Sequence, residues 1–462
     1  MTAEVPRGPA PPPTDSWAGR PAGVPRGVPP PSVPLAFLAA ASLGLVVTGI
    51  AFIWARRAGI PDSTTDPIVA ATHFGVLATL SMGVLGAMHQ FTPVITGRPL
   101  RSIRLARATF LTWLTASWML PIGIATEQVA VTAISGAFAA LAIGLLVVNF
   151  TGPLSVRGKG APVTGLRFAL AGSVVTACLG AAFVGDRQGN WFDLAAHVDL
   201  TMGVVGLFGW LGVTYVAVAE KLWPMFFLAH VPGRHRPGRV AVWAVPIGVA
   251  LLSPGLLFNV PDLAWGGSIV LTVGLGAHLV SLVAHVRHRR RKVDLHLVFV
   301  VTSAMWLLAG AGLCLAGALV IPHDYVFGMA FVAAALVAFG GWLLTALVGH
   351  AHKVVPFIVW SALRGRGVNK RRDGKPLLFA DLYDHRWAGV TYGLVTAGIT
   401  GLCIGFAASL PAVIAVGGGA LVATGIIVAA NLSVIPTRML FNRAVARASH
   451  VENAISKKLG KA

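Results

Sequence analysis

The sequence predicts an all-α polytopic membrane protein of twelve transmembrane helices, arranged as three four-helix repeats, with the N- and C-termini in the cytoplasm. Three observations lead to this fold class. The 462 residues are 56% hydrophobic and only 11% charged, a balance that soluble globular domains do not show. Apolar runs of about 20 residues, the length that crosses the hydrocarbon core, recur along the chain. Lysines and arginines fall in short clusters between these runs, which is how membrane topology is encoded.

The two ends of the chain differ from the apolar middle. Residues 1–34 contain eleven prolines, and they lack the charged start, apolar core and cleavage site of a signal peptide. We therefore expect 1–34 to be a disordered, uncleaved, proline-rich cytoplasmic tail. Residues 35–435 form the predicted transmembrane domain, and 436–462 form a basic cytoplasmic tail.

Twelve apolar runs predict the spans in order, with boundaries soft by several residues. They are 35–55, 67–93, 105–125, 129–150, 163–185, 193–219, 238–258, 264–286, 294–320, 326–349, 387–409 and 412–435.

Basic residues set the predicted orientation. With the N-terminus inside, 33 of the 36 lysines and arginines lie on the inner side, and only Arg56, Arg57 and Arg187 lie outside. This asymmetry follows the positive-inside rule. It predicts a multi-pass protein of the cell (inner) membrane with both termini cytoplasmic.

The same clustering argues against other classes of partner and cofactor. The net charge of +20 is distributed over loops between spans, so we expect the lipid bilayer and no nucleic acid as a partner. Cys178, Cys314 and Cys403 stand singly in apolar segments, which indicates neither a disulfide framework nor a thiolate cluster.

An internal repeat links spans two, six and ten. GWLGVTYVAVAEKLWPM (209–225) aligns without a gap with GWLLTALVGHAHKVVPF (341–357), and LSMGVLGAMHQFTPV (80–94) is a fainter third copy. Each copy ends at a proline near the inner end of its span. The last carbonyl groups of a helix lack hydrogen-bond donors within the helix, so side chains that donate hydrogen bonds are favourable there, and proline stops the helix. The residues that we expect to anchor these helix exits are His89, Glu220, Lys221, His352 and Lys353.

The stretch GHAHK (349–353) raises the question of a metal or haem site at the inner side. Residues two apart on an α-helix point about 200° away from each other. His350 and His352 are therefore not expected to hold one ion together, and we interpret His352 as a helix-exit anchor.

Histidines also occur near the outer ends of the three repeat spans. They are His73, His197 and His323, of which His197 follows Asp193 by one helical turn and His323 precedes Asp324. Neutral imidazole is a common ligand of haem iron, copper and zinc, and a nearby carboxylate can orient it. We predict these three as cofactor-binding or metal-binding residues, against the alternative that they are interfacial side chains. His278, with His285 on the same helix face, is a secondary candidate, and Met82, Met88 and Met202 are soft donors on spans two and six.

Taken together, these features resemble subunit I of the haem-copper oxidase superfamily. They are the twelve spans with both ends inside, the three repeats and the order His73, Gln90, Pro93. Three segments look closer to uncharacterised bacterial proteins that are distantly related to this superfamily. These segments are HFGVLATLSMGVLGAMHQFTPVITGRPL (73–100), GWLGVTYVAVAEKLWPMF (209–226) and GHAHKVVPFIVW (349–360). By that resemblance, His73 matches the span-two axial ligand of a low-spin haem.

The chain departs from that superfamily at the oxygen-reducing site. Val204 stands where a copper ligand of span six is expected, span seven has no histidine pair, and span ten has only His323 at its outer end. The expectation is thus oxidoreductase-like ancestry without the binuclear centre, with a haem or copper ion serving electron transfer or metal handling, and a membrane subunit or redox protein as partner. Whether the chain is an enzyme stays open, and the alternatives are a secondary transporter and a noncatalytic structural membrane subunit.

Overall fold

The computed structural model describes residues 28–58, 66–158, 160–189, 198–231, 236–371 and 374–441. Within these ranges the chain is helical, and the single β-type pairing found there is an isolated bridge between Lys370 and Pro376. Residues 1–27 and 442–462, which hold most of the two predicted tails, lie outside the described residues.

Among the described residues, twelve helices are long and apolar enough to cross a membrane, which confirms the predicted number of spans. They are Ser32–Ala55, Asp66–Thr96, Ile103–Ala125, Val129–Leu154, Ala161–Asp186, Val198–Phe227, Arg236–Leu257, Pro261–Arg287, Leu295–Val320, Tyr325–Gly365, His385–Ala407 and Pro411–Ser433.

Spans two, six and ten form the centre of the bundle. The buried share of their most apolar stretch is 61%, 83% and 56%, and no other span exceeds 44%. Outer spans expose large apolar side chains such as Leu111, Trp265 and Val416. Such residues suit contact with lipid tails, because a helix satisfies its own backbone hydrogen bonds and needs only an apolar surface there.

Spans two and six are not α-helical throughout. Phe74–Ser81 in span two and Val204–Gly212 in span six are π-helices, a rare conformation that is frequent at functional sites. Both spans then return to α-helix and end at a left-handed residue, Gly97 and Leu228, whose N–H donates to the carbonyl of Pro93 and Pro224 respectively. In both spans the π segment ends twelve residues before the proline, and the left-handed residue follows the proline by four.

Glycines let the neighbouring helices approach these π segments. A Cβ at Gly44 in span one would overlap the carbonyl group of Ala78, and a Cβ at Gly172 in span five would overlap that of Gly209. Small residues permit such backbone contact between membrane helices. Each π segment is thus packed directly against the preceding span.

The expectation that proline stops each repeat helix was wrong. Pro93, Pro224 and Pro356 all lie inside helices, and span ten continues past Pro356 to Gly365. A proline removes one backbone donor and kinks a helix, but neighbouring helices in a membrane bundle tolerate this. Span ten, predicted as 326–349, is therefore 41 residues long.

Candidate functional site

A cavity of about 290 Å³ lies inside the bundle, between spans one, two, five, six, ten, eleven and twelve. Most of its wall is formed by aliphatic and aromatic side chains, among them Phe52, Leu80, Trp210 and Leu344. Its polar residues are few and are Thr48, Thr72, His73, Thr79, Thr176 and Asp199. A mostly apolar pocket with a small number of placed polar groups is the usual form of a cofactor or small-molecule site.

His73 is the imidazole of this cavity. It is the last residue before the π segment of span two, and its Nδ1 lies 2.8 Å from the carbonyl oxygen of Val69. Because a carbonyl only accepts, Nδ1 carries the proton and Nε2 keeps its lone pair. The side chain is partly accessible because it borders the cavity. The backbone contact thus fixes the tautomer that binds a metal through Nε2.

Asp199 brings a carboxylate to the same wall. It lies in the first turn of span six, and it is close enough to interact electrostatically with His73. The sequence interpretation paired His197 with Asp193, so Asp199 was missed. Its position in the sequence could have identified it, because an acidic residue inside an apolar span costs free energy and is usually functional.

Five glycines border the cavity and create part of its volume. They are Gly75, Gly203, Gly206, Gly340 and Gly341. At Gly340 no atom lies within 4 Å of the place where a Cβ would stand, and at Gly206 the nearest is Thr176 Cγ2 at 4.0 Å. Larger side chains would fit at these two positions, and with glycine there the space stays open.

The structure does not gather the three predicted outer histidines into one described site. His197 lies outside the described residues. His323 is exposed in the turn between spans nine and ten, where its N–H bonds the carbonyl of Val320. No group of three or more His, Cys, Asp or Glu side chains that could hold a metal ion occurs among the residues described.

The methionines that could donate sulfur to a metal lie in two places, the packed core and the wall of the cavity. Met82 and Met88 are fully buried in the packed core. Met202 and Met329 border the cavity, on spans six and ten. Thioether donors are therefore available near His73 from two other helices.

The predicted exit anchors of the first two copies have different surroundings. His89 is buried between Phe37 and Phe150, with ring centres 5.0 and 5.1 Å away. Glu220 is half-buried and accepts a hydrogen bond from Ser281 Oγ at 2.7 Å, whereas Lys221 is exposed. The role of these residues as anchors stays a prediction.

In the third copy, His352 and Lys353 also lie in the interior. His352 stacks on Phe299 and meets the ring of Tyr383 edge-on, with centres 5.9 Å apart in both pairs. Lys353 is 7% exposed and forms an ion pair with Asp294, Nζ to Oδ2 3.1 Å. Tyr383 belongs to the loop after span ten, where burial, helped by the charge of Asp294, raises the pKa of its hydroxyl.

His350 faces a different neighbour from His352, as the two-residue spacing predicted. Its ring centre lies 4.8 Å from that of His296, a residue that the sequence analysis did not single out. His278 contacts Trp223 at 4.7 Å and Tyr215 at 5.5 Å, and His285 lies 6.0 Å from Trp223. Three histidines of spans eight, nine and ten, His278, His296 and His350, thus adjoin Tyr215 or one another.

Comparison with known proteins adds no family to this description. No protein-family model matches the chain, and no curated protein matches it.

Proposed function

We propose that this chain is a haem-binding, electron-transferring protein of the cell (inner) membrane, with the architecture of haem-copper oxidase subunit I and both termini in the cytoplasm. The observation that carries the proposal is His73. It places an imidazole with a free Nε2 lone pair on the wall of an apolar cavity inside the bundle. This is the arrangement that an axial ligand of haem iron requires.

The residues around the cavity fit a haem in their chemistry. His73 offers one axial nitrogen, and Met202 and Met329 offer thioether sulfur from other helices. His–Met pairs are a known axial ligand set that raises the reduction potential. The apolar wall would exclude water from the macrocycle, and the Val69 carbonyl, which accepts from Nδ1, would hold the imidazole in place.

The size of the cavity sets a condition on this fit. A volume of about 290 Å³ is just below the roughly 300–1,000 Å³ of small-molecule sites. A haem therefore needs flexible side chains of the wall to change rotamer. Met202, Met329 and Leu336 border the cavity, and unbranched methionine adapts to a new shape most easily.

Two features support the repeat relation between spans two and six. The π segments end at the same distance from Pro93 and Pro224, and so do the left-handed helix ends. The close glycine contacts also correspond, since Ala78 and Gly209 stand fifteen residues before those prolines. Span ten, α-helical throughout, would be the most divergent copy.

We do not propose oxygen reduction. A binuclear centre holds its second metal with several imidazoles, and span seven, Arg236–Leu257, contains none. With a bound haem the protein would instead carry one electron at a time between a membrane or periplasmic donor and a partner subunit.

A secondary transporter is the second candidate, and one observation favours it. The titratable side chains of His73 and Asp199 border the same cavity on spans two and six, which both carry non-α segments. Transporters place substrate and ion sites at interrupted helices near the bilayer midplane. In that case the cavity would take a small apolar molecule coupled to protons.

A cavity-filling experiment tests the proposal. Haemin is titrated into purified protein, and a Soret band at one haem per chain is expected. Gly340→Leu puts four carbons into the cavity; at about 0.3 kcal/mol per displaced ligand atom, it weakens haemin binding about eightfold. The control Gly393→Leu changes an exposed glycine with no atom within 4 Å of its Cβ position. Equal binding by both variants would place haemin elsewhere.

A further inference from the structure

His296 and His350 form a buried pair at the inner side of the bundle, away from the cavity of His73. His296 lies in the first turn of span nine, and His350 lies in the inner half of span ten. Their ring centres are 4.8 Å apart and the ring planes make an angle of 82°. The two side chains therefore meet edge to face, although 54 positions separate them in the sequence.

The pair contains polar atoms that the described part of the chain leaves unsatisfied. Both ring nitrogens of His296 and Nε2 of His350 are buried without a hydrogen-bond partner. The Nδ1 of His350 lies 2.7 Å from the carbonyl oxygen of Ala346, so Nδ1 is the donor and Nε2 presents a lone pair. His296 is 7% exposed, so solvent does not satisfy it from outside.

Burying such polar atoms costs free energy unless a ligand binds them. Leaving a buried polar group unpaired costs roughly 1–3 kcal/mol, and native proteins keep few of them. Three unpaired nitrogens on two touching rings concentrate that cost at one point. A ligand that accepts one lone pair from each ring would satisfy two of these three nitrogens.

The separation of the rings suits one metal ion between them. With metal–nitrogen bonds of about 2.0 Å, two imidazoles that meet an ion near the tetrahedral angle have ring centres about 5 Å apart. The observed 4.8 Å matches this separation, and the rings must turn from their edge-to-face contact so that both lone pairs point at the ion. We infer that His296 and His350 bind one transition-metal ion of the zinc or copper type, with water completing its coordination.

The charges around the pair limit its affinity without preventing binding. Lys353 lies close to both histidines, but Asp294 neutralises it at 3.1 Å. Asp294 also pairs with Arg291 at 3.2 Å. One positive charge of this group stays uncompensated, so we expect weaker binding than at a three-histidine site. The ion would reach the site from the inner loop that precedes His296.

This site answers the question raised by the GHAHK stretch. His350 takes part with a histidine from another helix. His352 does not, because its ring lies against Phe299 and Tyr383. The inference is independent of haem binding at His73, and its test uses no haem.

Metal binding to the purified full-length chain, prepared without a polyhistidine tag, tests the site. Zn²⁺ is titrated by calorimetry, and Co²⁺ is titrated as a spectroscopic probe of tetrahedral geometry. One site per chain is expected, with the intense visible bands of tetrahedral cobalt. His296→Ala and His350→Ala should each weaken binding at least tenfold, and His350→Gln serves if the alanine variant does not fold.

Two controls separate this site from others. His352→Ala removes the sequence neighbour, and His288→Ala removes an exposed histidine; both should bind metal like the parent protein. The inference is overturned if the one-per-chain site survives in His296→Ala and His350→Gln. It is also overturned if His352→Ala or His288→Ala weakens binding as much as those variants do, or if no site is found.

Discussion

The contact between Gly172 and the π segment of span six gives the sharpest test of the packing. A Cβ at this position would lie 2.7 Å from the carbonyl carbon of Gly209 and nearer still to its oxygen, whereas Cβ atoms essentially never approach closer than 3.0 Å. Both partners are backbone, so no side chain can turn away. In Gly172→Ala, spans five and six must separate by about 1 Å, which forfeits a large part of the dispersion energy along the contact.

The expected cost follows from two opposing effects. Overpacking of this kind costs about 3 kcal/mol. Alanine has a helix propensity up to about 1 kcal/mol better than glycine, so the net loss of unfolding free energy is about 2 kcal/mol. The matched control is Gly393→Ala, at an exposed glycine with no atom within 4 Å of its Cβ position. Gly393→Ala therefore has the gain in helix propensity without the steric overlap.

Equilibrium unfolding in mixed detergent micelles, with helicity measured by circular dichroism, gives both free energies. Gly172→Ala should be less stable than Gly393→Ala by about 3 kcal/mol. Two variants within about 0.5 kcal/mol of each other would refute the reasoning, because the close backbone contact would then not exist.

Three further predictions concern topology, the ion pair of Lys353 with Asp294, and redox activity. Reporter fusions after Arg107, Lys292 and Lys375 should report cytoplasm and one after Asp262 the outside, and two contrary results would end the twelve-span topology. Asp294→Asn keeps the helix cap to Leu297 N at 3.0 Å but leaves the Lys353 ammonium unpaired. It should cost about 2 kcal/mol of unfolding free energy, less than a fully buried pair because Asp294 is a third exposed. Oxygen consumption with a reduced donor should be absent, and cyanide-sensitive turnover that tracks the protein would contradict this.

Hydropathy and charge predicted much of the fold because the bilayer imposes one dominant constraint. Each span needs about 20 apolar residues, so the twelve helices were predicted in number and nearly in position. The prediction for span ten failed at its C-terminal end. Its proline lies inside a helix that runs on to Gly365, since packed neighbours compensate for the lost backbone donor.

The candidate site was only partly predictable. His73 could be proposed from its depth in an apolar span, but its cavity depends on features without a sequence signature. A π-helix changes the residues per turn, so helical periodicity does not show which side chains line the void. The pairing of His296 with His350 is a contact between separate helices, and apolar spans without strong amphipathicity do not reveal which faces meet.

The visible absorption spectrum of haemin-reconstituted protein tests whether His73 binds haem. We compare the parent chain with His73→Ala and with His323→Ala, which changes an exposed histidine of the turn between spans nine and ten. A Soret band is expected in the parent and in His323→Ala. Loss or a marked shift of the band is expected in His73→Ala, with unchanged helicity and membrane insertion, because the lost imidazole is an axial ligand. A parent protein without a Soret band, or a band that His73→Ala leaves unchanged, would contradict the proposed function.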